Sequence, residues 1–152
     1  MSEEQIINAF DEISIDPPQY LVDLYSWHNG ITHLNPFLHF YSIEELVETV
    51  KINEKYETKV TRFRWSIDWL PIVTLNGDVQ ILINIATKEL AALDLEMDSF
   101  KLLAKQYEYF VEAIYSVFKQ EKYYYLNDGS GIGFNKGVWD DLLSKHLSLI
   151  HI

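Results

Sequence analysis

Apolar positions recur with a helical period at the start of the chain. Ile6, Phe10 and Ile13 stand at i, i+4 and i+7, and Ser2 with Gln5 three residues on makes a capping box. This predicts an amphipathic helix over residues 3–13. Asp16-Pro17-Pro18 interrupts it, and Pro18 suits the first turn of a second helix, where its missing N–H has no partner to lose. That helix is expected to carry Leu21, Leu24, Tyr25 and Trp27/His28 inward and Asp23 outward. Asn29-Gly30 is expected to end it, with Gly30 left-handed at no steric cost. Residues 31–36 read as a loop and 37–41 as a short strand. The next helix starts at Ser42, with Glu45 completing a second capping box and Tyr41 and Leu46 at the staple positions. Ile43, Leu46, Val47 and Val50 form its apolar stripe; the polar stretch 53–61 extends it or leads to the sheet.

Period two then replaces period 3.6. Residues 63–97 read as a β-meander, with apolar pieces between Trp65 and Thr74 broken by Pro71, and Asn76-Gly77 as a two-residue hairpin signal. Val79, Ile81, Ile83 and Ile85 give the following strand one β-branched face and one semi-polar face. A turn near residues 87–89 leads to a strand over 90–95. Leu103, Tyr107, Phe110, Ile114 and Phe118 predict a long helix over 99–120 that packs on the sheet. Residues 127–137 read as a Gly-rich loop and 138–149 as a final short helix with Trp139, Leu142, Leu143 and His146 available for docking. Helices flanking one mainly antiparallel sheet make this an α+β chain, expected to be a single domain over 1–152.

Charge sharpens the picture. The 152 residues hold 23 Asp and Glu against 12 Lys and Arg, a net charge of −11, and no base stands before Lys51. Nine acids fall in that base-free stretch, Asp23, Glu44, Glu45 and Glu48 among them. Such a balance repels nucleic acid and anionic membranes and favours a basic partner or simply solubility; the acid run reads as solvated helix faces or as a docking face for that partner. The absence of cysteine excludes disulfides and thiolate metal or nucleophile sites. The opening MSEEQIINAF has no basic region and no apolar run, and no stretch approaches the ~20 residues of a membrane span. A cytoplasmic protein is the expectation.

Catalytic chemistry is hard to assemble from these residues. His28 and His33 are five apart across a glycine, not four apart on a helical face, and no HExxH pattern occurs. Gly129-Ser130-Gly131-Ile132-Gly133 matches no phosphate loop, and GxSxG is absent. Glu44/Glu45 and Asp140/Asp141 are helix neighbours that point ~100° apart. Asp94, Glu96 and Asp98 would share one face of a strand, as an anti-aggregation edge or a site for a cation or basic partner. No cofactor and no metal is expected. Trp27, on the core or on the surface, is the aromatic best placed to anchor an interface.

Several segments in order carry a resemblance. They are Pro18, Leu21, Leu24, Tyr25 and Asn29-Gly30; Phe37-Leu38; Ser42-Ile43-Glu44-Glu45-Leu46; Trp69-Leu70-Pro71-Ile72; Gly77-Asp78; and residues 81–85. Over about residues 3–118 the chain resembles the SUKH (Smi/Knr-like) superfamily of bacterial toxin-immunity proteins and fungal cell-wall-assembly regulators. Thr87-Lys88-Glu89 stands where that pattern has a turn glycine, and the tail over 119–152 lies beyond the likeness. The resemblance implies a non-enzymatic immunity protein that occludes a cognate nuclease or deaminase toxin domain. The alternative is a regulatory or scaffold module of the same fold. Asp23, Glu44, Glu45, Glu48, Asp94 and Glu96 are the candidate steering charges and Trp27 the candidate anchor, on a monomer or weak homodimer.

Overall fold

The computed structural model describes residues 1–35, 38–56, 68–75, 79–94, 96–97, 99–128 and 132–134. Helix α1 (Glu3–Asp11) begins at the expected cap: Gln5 N donates to Ser2 Oγ at 3.2 Å, and Ser2 N donates to Gln5 Oε1 at 2.9 Å. It stops two residues short of the expected end. Ser14 takes φ 57°, so Ile13 and Ile15 both donate to the Phe10 carbonyl at 3.1 Å and both are buried. Helix α2 (Gln19–Trp27) has Pro18 as its N-cap, one position earlier than expected. Its end also differs: His28 is extended, and its N–H donates to Leu24 O at 3.0 Å. Gly30 does have positive φ, +81°, but it is no helix cap. It is where the chain passes tightly under Ser42.

Strand β1 (Ile31–Asn35) replaces the expected loop. Nothing in Ile-Thr-His-Leu-Asn marks a strand by itself; pairing with β2 (Leu38–Phe40) makes it one. Helix α3 (Ile43–Tyr56) runs well into the polar stretch. Then follow β3 (Trp69–Leu75), β4 (Val79–Asn84), β5 (Leu90–Asp94) and β6 (Ser99–Ala104). The six strands form one sheet in chain order, each antiparallel to the next. The expected long helix is therefore two elements. Leu103 lies in β6, and helix α4 (Tyr107–Lys119) starts only after Gln106. A short hairpin of β7 (Tyr123–Tyr125) and β8 (Ile132–Phe134) occupies part of the region expected to be Gly-rich loop. The Asn76-Gly77 turn, Trp65, Asp98 and the expected helix over 138–149 lie outside the described residues.

Pro71 does not break β3. It sits past the end of the pairing with β2, where Tyr41 N donates to Ile72 O, and beside a bulge in the pairing with β4. A missing N–H is tolerated at such a place. Both faces of the sheet are covered. His39 and Phe40 are successive residues of β2 and so point to opposite faces. His39 meets Glu45 of α3, and the Phe40 ring lies 6.3 Å from that of Phe110 on α4. Hence α3 and α4 lie on opposite faces. In β4, Ile81, Leu82 and Ile83 are all buried, so the face expected to be semi-polar is core as well. Its polar member, Gln80, exchanges two hydrogen bonds of 2.6 and 3.0 Å with Asn53 of α3, which satisfies the one buried amide there.

Candidate functional site

An apolar cleft of about 350 Å³ opens between α2, the β1–β3 end of the sheet and α4. Leu24, Tyr25 and Trp27 come from α2, Ile31, Phe40 and Ile72 from the sheet, and Phe110, Val111, Ile114 and Phe118 from α4. Trp27 stands at its rim with 76% of its surface exposed, edge-on to His28 at 5.8 Å. The expectation that Trp27 turns inward is thus corrected. Gln19, Asp23 and Trp27 follow at i, i+4 and i+8 and share the exposed edge of α2, with Gln19 Nε2 donating to Asp23 Oδ1 at 2.9 Å. Leu21 and Tyr25 take the inward side; burial pushes the Tyr25 hydroxyl up, with Glu45 and Glu44 adding to the effect.

The cleft was not legible as such in the sequence. The signal was the width of the α4 stripe. Positions 107, 110, 111, 114, 115 and 118 are all apolar or aromatic, more than one face against a sheet can cover. Val111 and Tyr115 are the exposed remainder.

The end of α2 is tied to the start of α3. Asn29 Oδ1 accepts from Ile43 N at 2.8 Å, and Asn29 Nδ2 donates to Glu44 Oε2 at 3.0 Å. That hydrogen bond holds the Glu44 carboxyl below its usual pKa against a smaller opposing effect of burial. Trp27, Asp23 and Glu44 therefore belong to neighbouring parts of one surface. Glu45 has a structural task. It accepts from Ser42 N at 2.8 Å, and His39 Nε2 sits 3.1 and 3.0 Å from its two oxygens. Burial pulls its pKa up, but the Ser42 N–H and His39 outweigh burial and leave it below the usual value. Glu48 shares the Lys51 ammonium, at 3.4 Å, with Glu12 at 3.0 Å. Of the three candidate steering charges Glu44, Glu45 and Glu48, Glu45 is the one that also closes the α3 capping box.

Asp94 and Glu96 do not join them. Asp94 ends β5, three strands from β2 and so ~14 Å across the sheet. Its Oδ1 accepts from Glu96 N at 3.1 Å and Met97 N at 3.0 Å, so it shapes a turn, and Glu96 is in that turn instead of on a strand face.

The Tyr107 end of the cleft is fastened by a polar clasp. Lys88 takes φ 63°, the geometry a glycine would adopt freely. Its Nζ lies 3.1 Å from Glu108 Oε1 and 4.8 Å from the centre of the Tyr20 ring. Tyr20 stacks on Tyr107 at 6.2 Å and donates to Ile85 O at 3.1 Å. Burial, then Glu108 and Tyr107, raise the Tyr20 hydroxyl to about 12.

The Ser42 cap carries a prediction. Ser42→Ala should cost about 1 kcal/mol at neutral pH by leaving an N–H of the first turn without its acceptor. Glu44 and Glu45 have folded pKa values below an ordinary value of 4.5. Their contribution is complete above about pH 4.5 and is lost as pH falls through the lower folded values. Glu45→Gln should therefore flatten the acid limb of a plot of urea midpoint against pH. An acid limb as steep as the parent's would show that Glu45 is not held this way.

Among the described residues no group of three or more His, Asp or Glu is placed to hold a metal ion, and no helix is long and apolar enough to cross a membrane. A scan against protein-family models found no match to the chain, and a search of the curated proteins found none either.

Proposed function

We propose that the protein acts by binding, as an immunity protein of SUKH type that occludes a basic toxin domain of nuclease or deaminase class encoded beside it. The observation that carries this reading is Trp27. A tryptophan three-quarters exposed, at the rim of an apolar cleft and on the same helix edge as Asp23, has the makings of an interface hot spot. The base-free stretch through Val50 adds steering. Occlusion needs complementarity and no catalytic group, so no residue here is assigned a chemical step.

Co-expression tests it. The toxin domain alone should arrest growth, and this protein should rescue it. In binding assays Trp27→Ala should raise Kd about 30-fold, the effect of a hot-spot loss of ~2 kcal/mol. Asp23→Lys with Glu48→Lys, neither of which caps a helix, should slow association about tenfold at low salt and less at high salt. A neighbouring product that is neither toxic nor bound would sink the reading.

A further inference from the structure

We propose that the cleft between α2 and α4 seats the apolar face of a basic amphipathic helix contributed by the protein partner. This rests on the reading above that a basic protein partner exists, and it names which part of that partner is recognised and where.

The cleft's volume, about 350 Å³, is that of roughly a dozen water molecules at ~30 Å³ each. Its walls are aliphatic and aromatic, so such water finds few hydrogen-bond partners, and apolar side chains that displace it gain the burial. An extended peptide is a poor occupant. The floor residues Phe40 and Ile72 belong to strands already paired, and the Ile72 carbonyl is taken by Tyr41 N at 3.0 Å. Phe40 and Ile72 therefore offer no ladder to a new strand; of the lining strands only β1, which carries Ile31, stands at the sheet edge. A segment seated over Phe40 and Ile72 must satisfy its own backbone, and a helix does so.

Charge selects the sign of that helix. The α2 wall carries Asp23 and neither Lys nor Arg, and Glu44 stands beside its end. On α4 Glu112 is exposed next to Val111. The bases of that wall are at its extremes, Lys105 before the helix and Lys119 at its last residue, while Lys88 is engaged by Glu108 at 3.1 Å. Cations flanking an apolar face would meet Asp23 and Glu112 on either side, and the exposed face of Trp27 adds a cation–π contact. A second copy brings another −11 to the same place.

The test uses the intact protein and a fluorescein-labelled synthetic 14-residue peptide of leucine and lysine with the leucines at helical spacing. The controls are its scrambled isomer and the same pattern with glutamate for lysine. Anisotropy titration should show the patterned lysine peptide binding at least tenfold tighter than either control. Val111→Glu, an exposed position whose change leaves the melting temperature in place, should weaken it at least tenfold. Asp23→Lys with Glu112→Lys should weaken it about fivefold and flatten its salt dependence. Equal binding of the scrambled isomer, or indifference to Val111→Glu, overturns the proposal. So does a concentration-dependent dimer abolished by Val111→Glu, which gives the cleft to a second copy. Because the chain has no cysteine, Val111→Cys with Leu143→Cys is a clean probe; an intramolecular disulfide there gives the cleft to the chain's own C-terminal segment and also overturns the proposal. The peptide assay contains no toxin. If the neighbouring toxin binds Val111→Glu as tightly as the parent, the cleft assignment falls and the proposed function stands. If the peptide results hold and no toxin partner binds, the reverse is true.

Discussion

Valine in place of Gly30 is expected to remove on the order of 3–5 kcal/mol of stability, a large share of what a domain of this size has. Two effects add. At φ +81° a β-branched residue is strained whatever space surrounds it. Space is also missing. A Cβ at position 30 would lie 2.6 Å from Ser42 N, 2.9 Å from Ser42 Cα and 3.0 Å from Phe40 O. All three are backbone atoms, so no side chain can swing aside. The atom met first belongs to the residue that caps α3, and Asn29, which ties α2 to α3, is the adjacent residue. Gly30→Val should be mostly insoluble or unfold at much lower urea, and Gly30→Ala should show the same defect in smaller measure. A valine variant with the parent's midpoint would mean that the chain does not pass under Ser42 in this way.

Phe10→Ala is expected to cost about 3–5 kcal/mol. Phe10 is fully buried, and its ring meets Tyr25 edge-on, with centroids 6.4 Å apart and planes at 72°. Tyr25 in turn lines the cleft, so the cavity left behind lies directly behind the candidate site. Ile7, on the same helix but exposed, is the control; Ile7→Ala should fall within about 0.5 kcal/mol of the parent. Urea denaturation of the pair decides the matter. Similar midpoints for both variants would place α1 away from the core.

What the sequence made legible was local. Ser2 with Gln5 and Ser42 with Glu45 form their boxes within three residues, so nothing distant can alter the reading. The order of α1, α2, α3 and the meander was legible for the same reason, since each strand pairs with its neighbour in the chain. What failed depended on partners. Ile31–Asn35 is a strand because β2 lies beside it. Leu103 falls in phase with the α4 stripe by chance of spacing, while its backbone belongs to β6 alongside β5. Asp94 looked like one of a row of surface acids, but its carboxylate closes a turn through two N–H groups. Trp27 was undecidable by composition. Only its place four residues after Asp23 pointed outward, and the neighbouring Leu24 and Tyr25 pointed the other way. The cleft needs α2 and α4, some ninety residues apart in the chain, to be side by side.

The plain up-and-down order of the six strands has a kinetic side. Four of the five ladders join strands across short connections, which favours local encounters, while β2 and β3 pair only after α3 has been passed, with Leu38 opposite Leu75. The clasp is of another kind: the bond from Tyr20 to Ile85 spans 65 residues. If that contact forms after the folding barrier, Tyr20→Phe is expected to speed unfolding and leave the folding rate unchanged, which a chevron plot checks. Releasing Tyr20 from the clasp breaks one hydrogen bond, one ring stack and one cation–π contact, and neither the Lys88–Glu108 pair nor any strand pairing. Release of Tyr20 would thus leave the sheet whole, which makes the Tyr107 end of the cleft the end expected to yield to the proposed helix.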